Sequence, residues 1–190
     1  MSKQLAKAGA GALIAFSVLA GCSLRTATTS QQAPPAQPVG YEEHNDADVA
    51  FVQQLIPLER QAVALSDALL AKPGVDRGVA DIATAIQEND RPEIAQLQGW
   101  LNDWGAPAAV KDGATELATH QSAADLQAAD PSRAAKLYLE QMIANRERTL
   151  ALSKTEVDHG TYRATVAAAG GNEATQERQI STMKTLLGSP

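Results

Sequence analysis

The sequence predicts an all-α fold, an antiparallel four-helix bundle made from a duplicated helical hairpin. Apolar residues recur with the period of an α-helix from about residue 45 to the end of the chain. Aromatic residues make up only 4% of the chain, whereas alanine is abundant, and this composition favours closely packed helices over a β-sandwich. Two long helices, a linker and two further helices are therefore expected.

The N-terminal residues predict export and a lipid anchor. Lys3 and Lys7 precede a short apolar run that ends in Leu19-Ala20-Gly21-Cys22, and this run is too short to span a bilayer as a stable helix. The order resembles a bacterial lipoprotein signal, which implies removal of residues 1–21, acylation of Cys22 (for example with palmitate) and attachment to the extracytoplasmic face of the cell membrane. An ordinary secretory signal with an incidental cysteine is the alternative.

The next segment, 22–43, predicts a disordered tether. It is rich in Ser, Thr, Gln, Ala and Pro and has too little apolar surface to offset the entropy of ordering it. The folded domain is expected at 44–190. The chain has a formal net charge of -6 and no cluster of Lys and Arg, which argues against a nucleic-acid partner.

The first hairpin is predicted from local start and stop signals. One helix is expected to begin after a cap within Asn45-Asp46 and to run to about residue 72, and a second covers about 76–104. Pro73-Gly74 and Gly105 are the expected stops. Pro57 and Pro92 lie inside these helices and predict kinks; the alternative is that each proline ends a helix.

The second half begins with a linker that carries one short helix, expected at 122–129. Ser122 is its expected cap, and Asp125 is placed for a capping box. Asp130-Pro131 then predicts the start of a third long helix, because aspartate suits the cap position and proline the first turn. A fourth long helix is expected at about 161–187.

The two halves of the domain resemble each other in sequence. Residues 55–60 and 63–66 align with 142–147 and 150–153 at one constant offset, and 93–97 aligns with 179–183 after a slip of one residue. A duplicated hairpin packs its two copies about a pseudo-twofold axis, so equivalent residues are expected near that axis.

Several short segments resemble the domain of unknown function 305 family. They are His44 to Phe51, Leu55-Ile56-Pro57, Pro92-Glu93-Ile94, Trp100-Leu101 and Met142-Ile143-Ala144. The resemblance implies an exported, ferritin-like four-helix bundle, often a lipoprotein, and some members are linked to copper handling. It covers the chain from His44 to Leu187.

The chain departs from the metal-binding pattern of this family. The resemblance implies a His-His pair after each Met-Ile step, but the matching positions hold Leu58-Glu59 and Asn145-Arg146. The remaining positions that match the family's site are Asp90, Glu93, Gln176, Gln179, Met142 and Met183. Soft metals prefer imidazole and thioether ligands, so a degenerate metal site without a bound metal or other cofactor is expected.

The three histidines, His44, His120 and His159, share no helical face at one-turn spacing, so they predict no preformed metal site. Glu156 and His159 have the spacing of half a di-iron site. The matching stretch of the first helix holds neither Glu nor His, so this spacing is interpreted as chance.

Two charged residues fall on inward apolar stripes. Glu59 lies in line with Val52, Ile56, Val63 and Leu70, and Arg146 with Leu139, Ile143, Leu150 and Val157. Because the two positions are equivalent in the repeat, we expect a buried charge-assisted pair at the bundle centre. Arg60 and Glu147 are expected to extend the pair into a network; the alternative is that all four side chains reach solvent.

No pairing of a nucleophile with a base and no phosphate-binding loop appears in the sequence, so no enzyme activity is expected. The predicted function is that of a lipid-anchored, non-enzymatic binding or interaction module with a protein or small-molecule partner. A copper-type metal-binding or metal-stress protein of the cell envelope is the alternative. Trp100 and Trp104 are expected to pack in the core and at its rim, or to line a partner groove.

Overall fold

The computed structural model of the protein describes residues 43–109 and 113–188. They form five α-helices: α1 Asp46–Leu70, α2 Arg77–Asp103, α3 Gly113–Ala128, α4 Pro131–His159 and α5 Arg163–Leu187. The predicted all-α fold is confirmed. The predicted signal peptide, Cys22 and nearly all of the predicted tether lie outside the described residues.

The caps of the long helices follow the sequence signals. Asn45 caps α1, and its side chain accepts hydrogen bonds from the backbone N–H groups of Ala47 and Asp48. Asp130 caps α4 in the same way and accepts from the backbone of Arg133. Gly105 ends α2 with a φ of 62°, a backbone conformation that glycine adopts without a steric penalty.

Both internal prolines lie within continuous helices. Helix α1 runs through Pro57 and α2 through Pro92. The alternative that each proline ends a helix is therefore wrong. The apolar residues before and after each proline lie on the same face of the helix. Burial of that face stabilises the helix although the proline removes one backbone hydrogen bond.

The linker helix α3 is longer than predicted. It begins at Gly113 rather than near Ser122, and Ser122 lies inside the helix instead of capping it. Its C-terminal half packs Leu126 into the core, whereas Leu117 is exposed. Alanine, leucine and glutamate support the N-terminal half by helix propensity alone, and a segment without an apolar face gives no periodic signal.

The helices pair as two hairpins. Helix α1 packs along α2 and α4 packs along α5, while α1 also packs against α4; α3 covers α1 and α4, and α2 and α5 touch at few positions. No helix among the described residues is both long enough and apolar enough to cross a membrane.

The core of the bundle consists of two apolar clusters. One contains Leu65, Leu69, Ile86, Tyr138, Met142 and Met183, and α3 adds Leu126 to it. The other contains Phe51, Leu55, Leu97, Trp100 and Ala169. Each of α1, α2, α4 and α5 contributes to or packs against both clusters, so the residues between the clusters lie at mid-bundle.

Candidate functional site

A layer of buried polar side chains separates the two apolar clusters. Each long helix places at least one such residue there, including Glu59 from α1, Asp90 from α2, Arg146 from α4 and Gln176 from α5. Their exposed fractions lie between 1% and 5%. Burial of this many polar groups is costly unless they are paired, so the layer is the leading candidate for a site.

The centre of the polar layer is an ion pair between Arg146 and Asp90. The Nη2 group of Arg146 donates to Oδ2 of Asp90 over 2.8 Å, and both side chains are buried. Burial raises the pKa of Asp90, while the guanidinium of Arg146 opposes that rise. Charge-assisted bonds of this kind are among the strongest in proteins.

The predicted partner of Arg146 was therefore wrong. Glu59 is buried at the centre, as predicted, but its Oε2 has no hydrogen-bond partner among the described residues. Burial, together with the nearby Glu93 and Asp90, raises the pKa of Glu59 to about 10, although Arg146 opposes this. The raised pKa favours the protonated form of Glu59. Two carboxyl groups compete for one guanidinium, and Asp90 is the one that forms the ion pair.

The predicted extension of the network is also wrong. Arg60 and Glu147 are exposed, and Glu147 accepts a hydrogen bond from Lys184 over 3.1 Å. Val157 is exposed as well. One residue along a helix is a rotation of about 100°, which turns Arg60 and Glu147 away from the stripe that Glu59 and Arg146 occupy.

A family comparison identifies the fold around this layer. The family model described as domain of unknown function (DUF305) matches residues 48–187, which include every helix except the first two residues of α1. The chain belongs to the DUF305 family. A comparison with curated proteins gives no match.

Solved structures of DUF305 proteins share the fold. A DUF305 fragment from Deinococcus radiodurans has a TM-score of 0.66 at 24% identity, covering 76% of this chain and 97% of that chain. A DUF305 protein from Streptomyces coelicolor, inferred to be secreted, has a TM-score of 0.66 at 23% identity, covering 74% and 91%. A further solved structure, that of CopM in the Cu(I)-bound form, shares the fold as well, with a TM-score of 0.59 at 17% identity, covering 73% of this chain and 94% of that chain.

The residual family positions are divided between the polar layer and the apolar core. Glu93 is half-buried and accepts from the side chain of Asn172 over 3.1 Å. Gln176 and Gln179 each have a carbonyl oxygen without a partner among the described residues. Met142 and Met183, by contrast, pack together with Tyr138 and the aliphatic side chains of one apolar cluster, so they serve as core residues.

The layer is a poor fit for a metal ion. Among the described residues, no group of three His, Cys, Asp or Glu side chains is arranged to hold one. The guanidinium of Arg146 occupies the centre as a fixed positive charge and would repel a second cation. Its neighbour Asn145 donates to the carbonyl oxygen of Leu58 and to Gln61, and thereby joins α4 to α1.

The histidines do not belong to the polar layer. His44 precedes α1 and stacks on Trp104 with 4.7 Å between ring centroids, His120 is exposed on α3, and His159 ends α4. Tyr162 packs edge-on against both Trp100 and Trp104. This aromatic group confirms the predicted core and rim packing of the tryptophans at the end of the bundle where α1 begins.

Sequence reasoning missed a second buried polar group, which contains Asp48 and Glu156. Asp48 completes a capping box with Asn45, a signal visible in the Asn-x-x-Asp spacing. The sequence indicated only the spacing of Glu156 to His159, which was interpreted as chance. Glu156 is 1% exposed, because the N-terminus of α1 and the start of α5 cover the end of α4.

Proposed function

We propose that this DUF305 protein is a lipid-anchored, non-enzymatic binding or interaction module of the cell envelope, in which an ion pair replaces a metal centre. The buried Arg146–Asp90 pair is the observation that supports the proposal most directly. An arginine at mid-bundle stabilises the domain internally and leaves no cluster of neutral, soft donor groups for a metal.

The lipid anchor is supported by the sequence. The apolar run that ends in Leu19-Ala20-Gly21-Cys22 has the order of a lipoprotein signal. The similarity to a DUF305 protein that is inferred to be secreted agrees with a location outside the cytoplasm. A domain that begins about twenty residues after the acylated cysteine would remain near the membrane but free to meet a partner.

A copper-binding role is the second candidate, because the fold resembles that of CopM in the Cu(I)-bound form. At 17% identity this likeness concerns the fold. Thioether ligands for a Cu(I) site would have to come from Met142 and Met183, and both are packed in the apolar core.

Metal titration separates the two candidates. We expect the mature protein, made soluble by Cys22→Ser, to bind neither Cu(I) nor Zn²⁺ with sub-micromolar affinity in competition with a chelating dye. A matched variant with histidine at 58, 59, 145 and 146 restores the paired pattern and serves as the gain-of-binding control. Sub-micromolar binding by the protein with its natural residues at these positions would favour the copper role instead.

Cell fractionation tests the anchor. We expect Cys22→Ser to move the exported protein from the membrane fraction to the soluble extracytoplasmic fraction, because Cys22 is the only thiol in the chain and the expected acylation site. Immunoblots of the two fractions measure the change. Retention of the processed variant in the membrane fraction would contradict a covalent lipid anchor.

A further inference from the structure

The Asp48 carboxylate collects hydrogen bonds from the elements that meet at one end of the bundle. The backbone N–H of Asn45 donates to it over 2.7 Å, and those of Thr161 and Tyr162 donate over 3.1–3.3 Å. The hydroxyls of Thr165 and Thr161 donate over 2.8 and 3.1 Å. A carboxyl surrounded by donors is held in its ionised form.

Glu156 lies against Asp48 without comparable donors. Neither of its carboxyl oxygens has a well-aligned hydrogen-bond partner among the described residues, although the side chain is buried and the Thr165 hydroxyl lies near enough to lower its pKa. The Thr165 hydroxyl has only one proton to donate. Two other acceptors, Asp48 Oδ1 and the carbonyl oxygen of Tyr162, lie within hydrogen-bonding distance of this hydroxyl. Two carboxyl groups in contact cannot both ionise cheaply, so the contact is favourable when Glu156 is protonated and Asp48 accepts a hydrogen bond from it.

We propose that Asp48 and Glu156 form a pH-sensitive carboxyl pair that holds the N-terminus of α1 against the α4–α5 turn while Glu156 is protonated, and loosens that contact when Glu156 ionises. The pair joins parts of the chain more than 100 residues apart, since Thr161 and Tyr162 donate to Asp48 across the interface. This inference is independent of the proposed interaction role.

The surroundings of the pair leave little room for a different arrangement. A Cβ atom at Gly160 would lie 2.6 Å from the carboxyl carbon of Glu156, so the turn packs tightly on this side chain. From α1 the facing titratable group is Asp48, and α5 contributes the uncharged Thr165. The other titratable side chains nearby have partners of their own. On α4, Nδ1 of His159 lies 3.0 Å from the carbonyl oxygen of Thr155. The Tyr162 ring packs against two tryptophans of α2.

The acid–base properties of the pair agree with this geometry. Burial raises the pKa of Glu156 to about 7, and Asp48 adds to the rise, against a lowering contribution from Thr165. Burial alone would raise the pKa of Asp48. Its hydrogen bonds outweigh that effect and lower the pKa to about 2, and the hydrogen bond from Glu156 makes the largest lowering contribution. Because the folded pKa of Glu156 exceeds its ordinary value of 4.5, the interface weakens between about pH 4.5 and 7 and then stays level.

Amide hydrogen exchange of Thr161 and Tyr162 measures this interface directly, in the mature chain made soluble by Cys22→Ser. After correction for intrinsic exchange, we expect opening to increase about tenfold per pH unit from about pH 5 to 7, and to level off above pH 7. In Glu156→Gln the opening should be independent of pH, because the amide NH₂ donates to Asp48 without titrating.

Two control variants distinguish the carboxyl pair from other titrating groups. Glu59→Gln removes a different buried glutamate and should keep the pH dependence. Histidine side chains titrate in a similar range, so a variant with His44→Phe and His159→Gln should also keep it. Loss of the pH dependence in the histidine variant, with its persistence in Glu156→Gln, would overturn the proposal.

A measurement on the unaltered pair covers the case in which Glu156→Gln fails to fold. The ¹³C resonance of the Glu156 carboxyl, in the same soluble chain with both carboxyls intact, should titrate with a midpoint near pH 7. A midpoint near the ordinary value of a glutamate would show that the two carboxyls do not share a proton, and would refute the proposal.

Discussion

Replacement of Asp90 with leucine is expected to lower the free energy of unfolding by about 3–5 kcal/mol, because it removes the carboxylate that is hydrogen-bonded to the buried guanidinium of Arg146. Arg146 is 1% exposed, and its Nε has no hydrogen-bond partner among the described residues, so the bond to Asp90 is the main stabilising contact of its charge. Urea denaturation followed by circular dichroism measures the change.

The matching double variant tests the origin of that loss. Asp90→Leu combined with Arg146→Leu should recover most of the lost stability, since both charges then leave the core. Asp67 provides the surface control: its ion pair with Arg91 is about half exposed, and Asp67→Ala should cost less than about 1 kcal/mol. If Asp90→Leu loses no more unfolding free energy than Asp67→Ala, the buried pair does not stabilise the bundle.

Replacement of Asp48 with alanine is expected to cost about 3–5 kcal/mol, because several donors, most of them partly buried, lose their shared acceptor at once. The N–H groups of Asn45, Thr161 and Tyr162 would all be left without it. Thermal and urea unfolding at pH 7 measure the effect. The pKa of Asp48 is lowered to about 2 from 3.8, so the contribution is present above about pH 4 and is lost as the pH falls toward 2.

Asp46 is the control for Asp48. It lies in the same first turn of α1 but is exposed, so Asp46→Ala should cost no more than about 1 kcal/mol through the helix dipole. Equal losses in the two variants would mean that the charge of the first turn, rather than the hydrogen bonds across to the α4–α5 turn, accounts for the stability.

Local signals in the sequence predicted the framework of the fold. Asn45, Asp130 and Gly105 act within a few residues of their position in the chain, so the helix ends that they set could be read directly. The burial of Glu59 and Arg146 was also predictable, because helical periodicity fixes which face a residue occupies. Helix α3 was misjudged because its first half lacks that periodicity.

The pairings inside the bundle could not be predicted in the same way. The choice of Asp90 over Glu59 as the partner of Arg146 depends on distances between helices, and the sequence gives only positions along each helix. Burial of Glu156 likewise depends on the N-terminus of α1 reaching the end of α4. Either carboxylate could pair with the single guanidinium, so the packing of the helices determines which one does.

The two buried glutamates change the charge that the folded protein carries. The formal net charge of -6 counts every Asp and Glu as ionised, whereas Glu59, with a pKa of about 10, is neutral in the native state and Glu156, with a pKa of about 7, is about half protonated at neutral pH. Both lose these protons to the solvent when the chain unfolds. The native domain therefore migrates in an electric field as a less acidic protein than its composition implies, and its heat of unfolding depends on the ionisation enthalpy of the buffer.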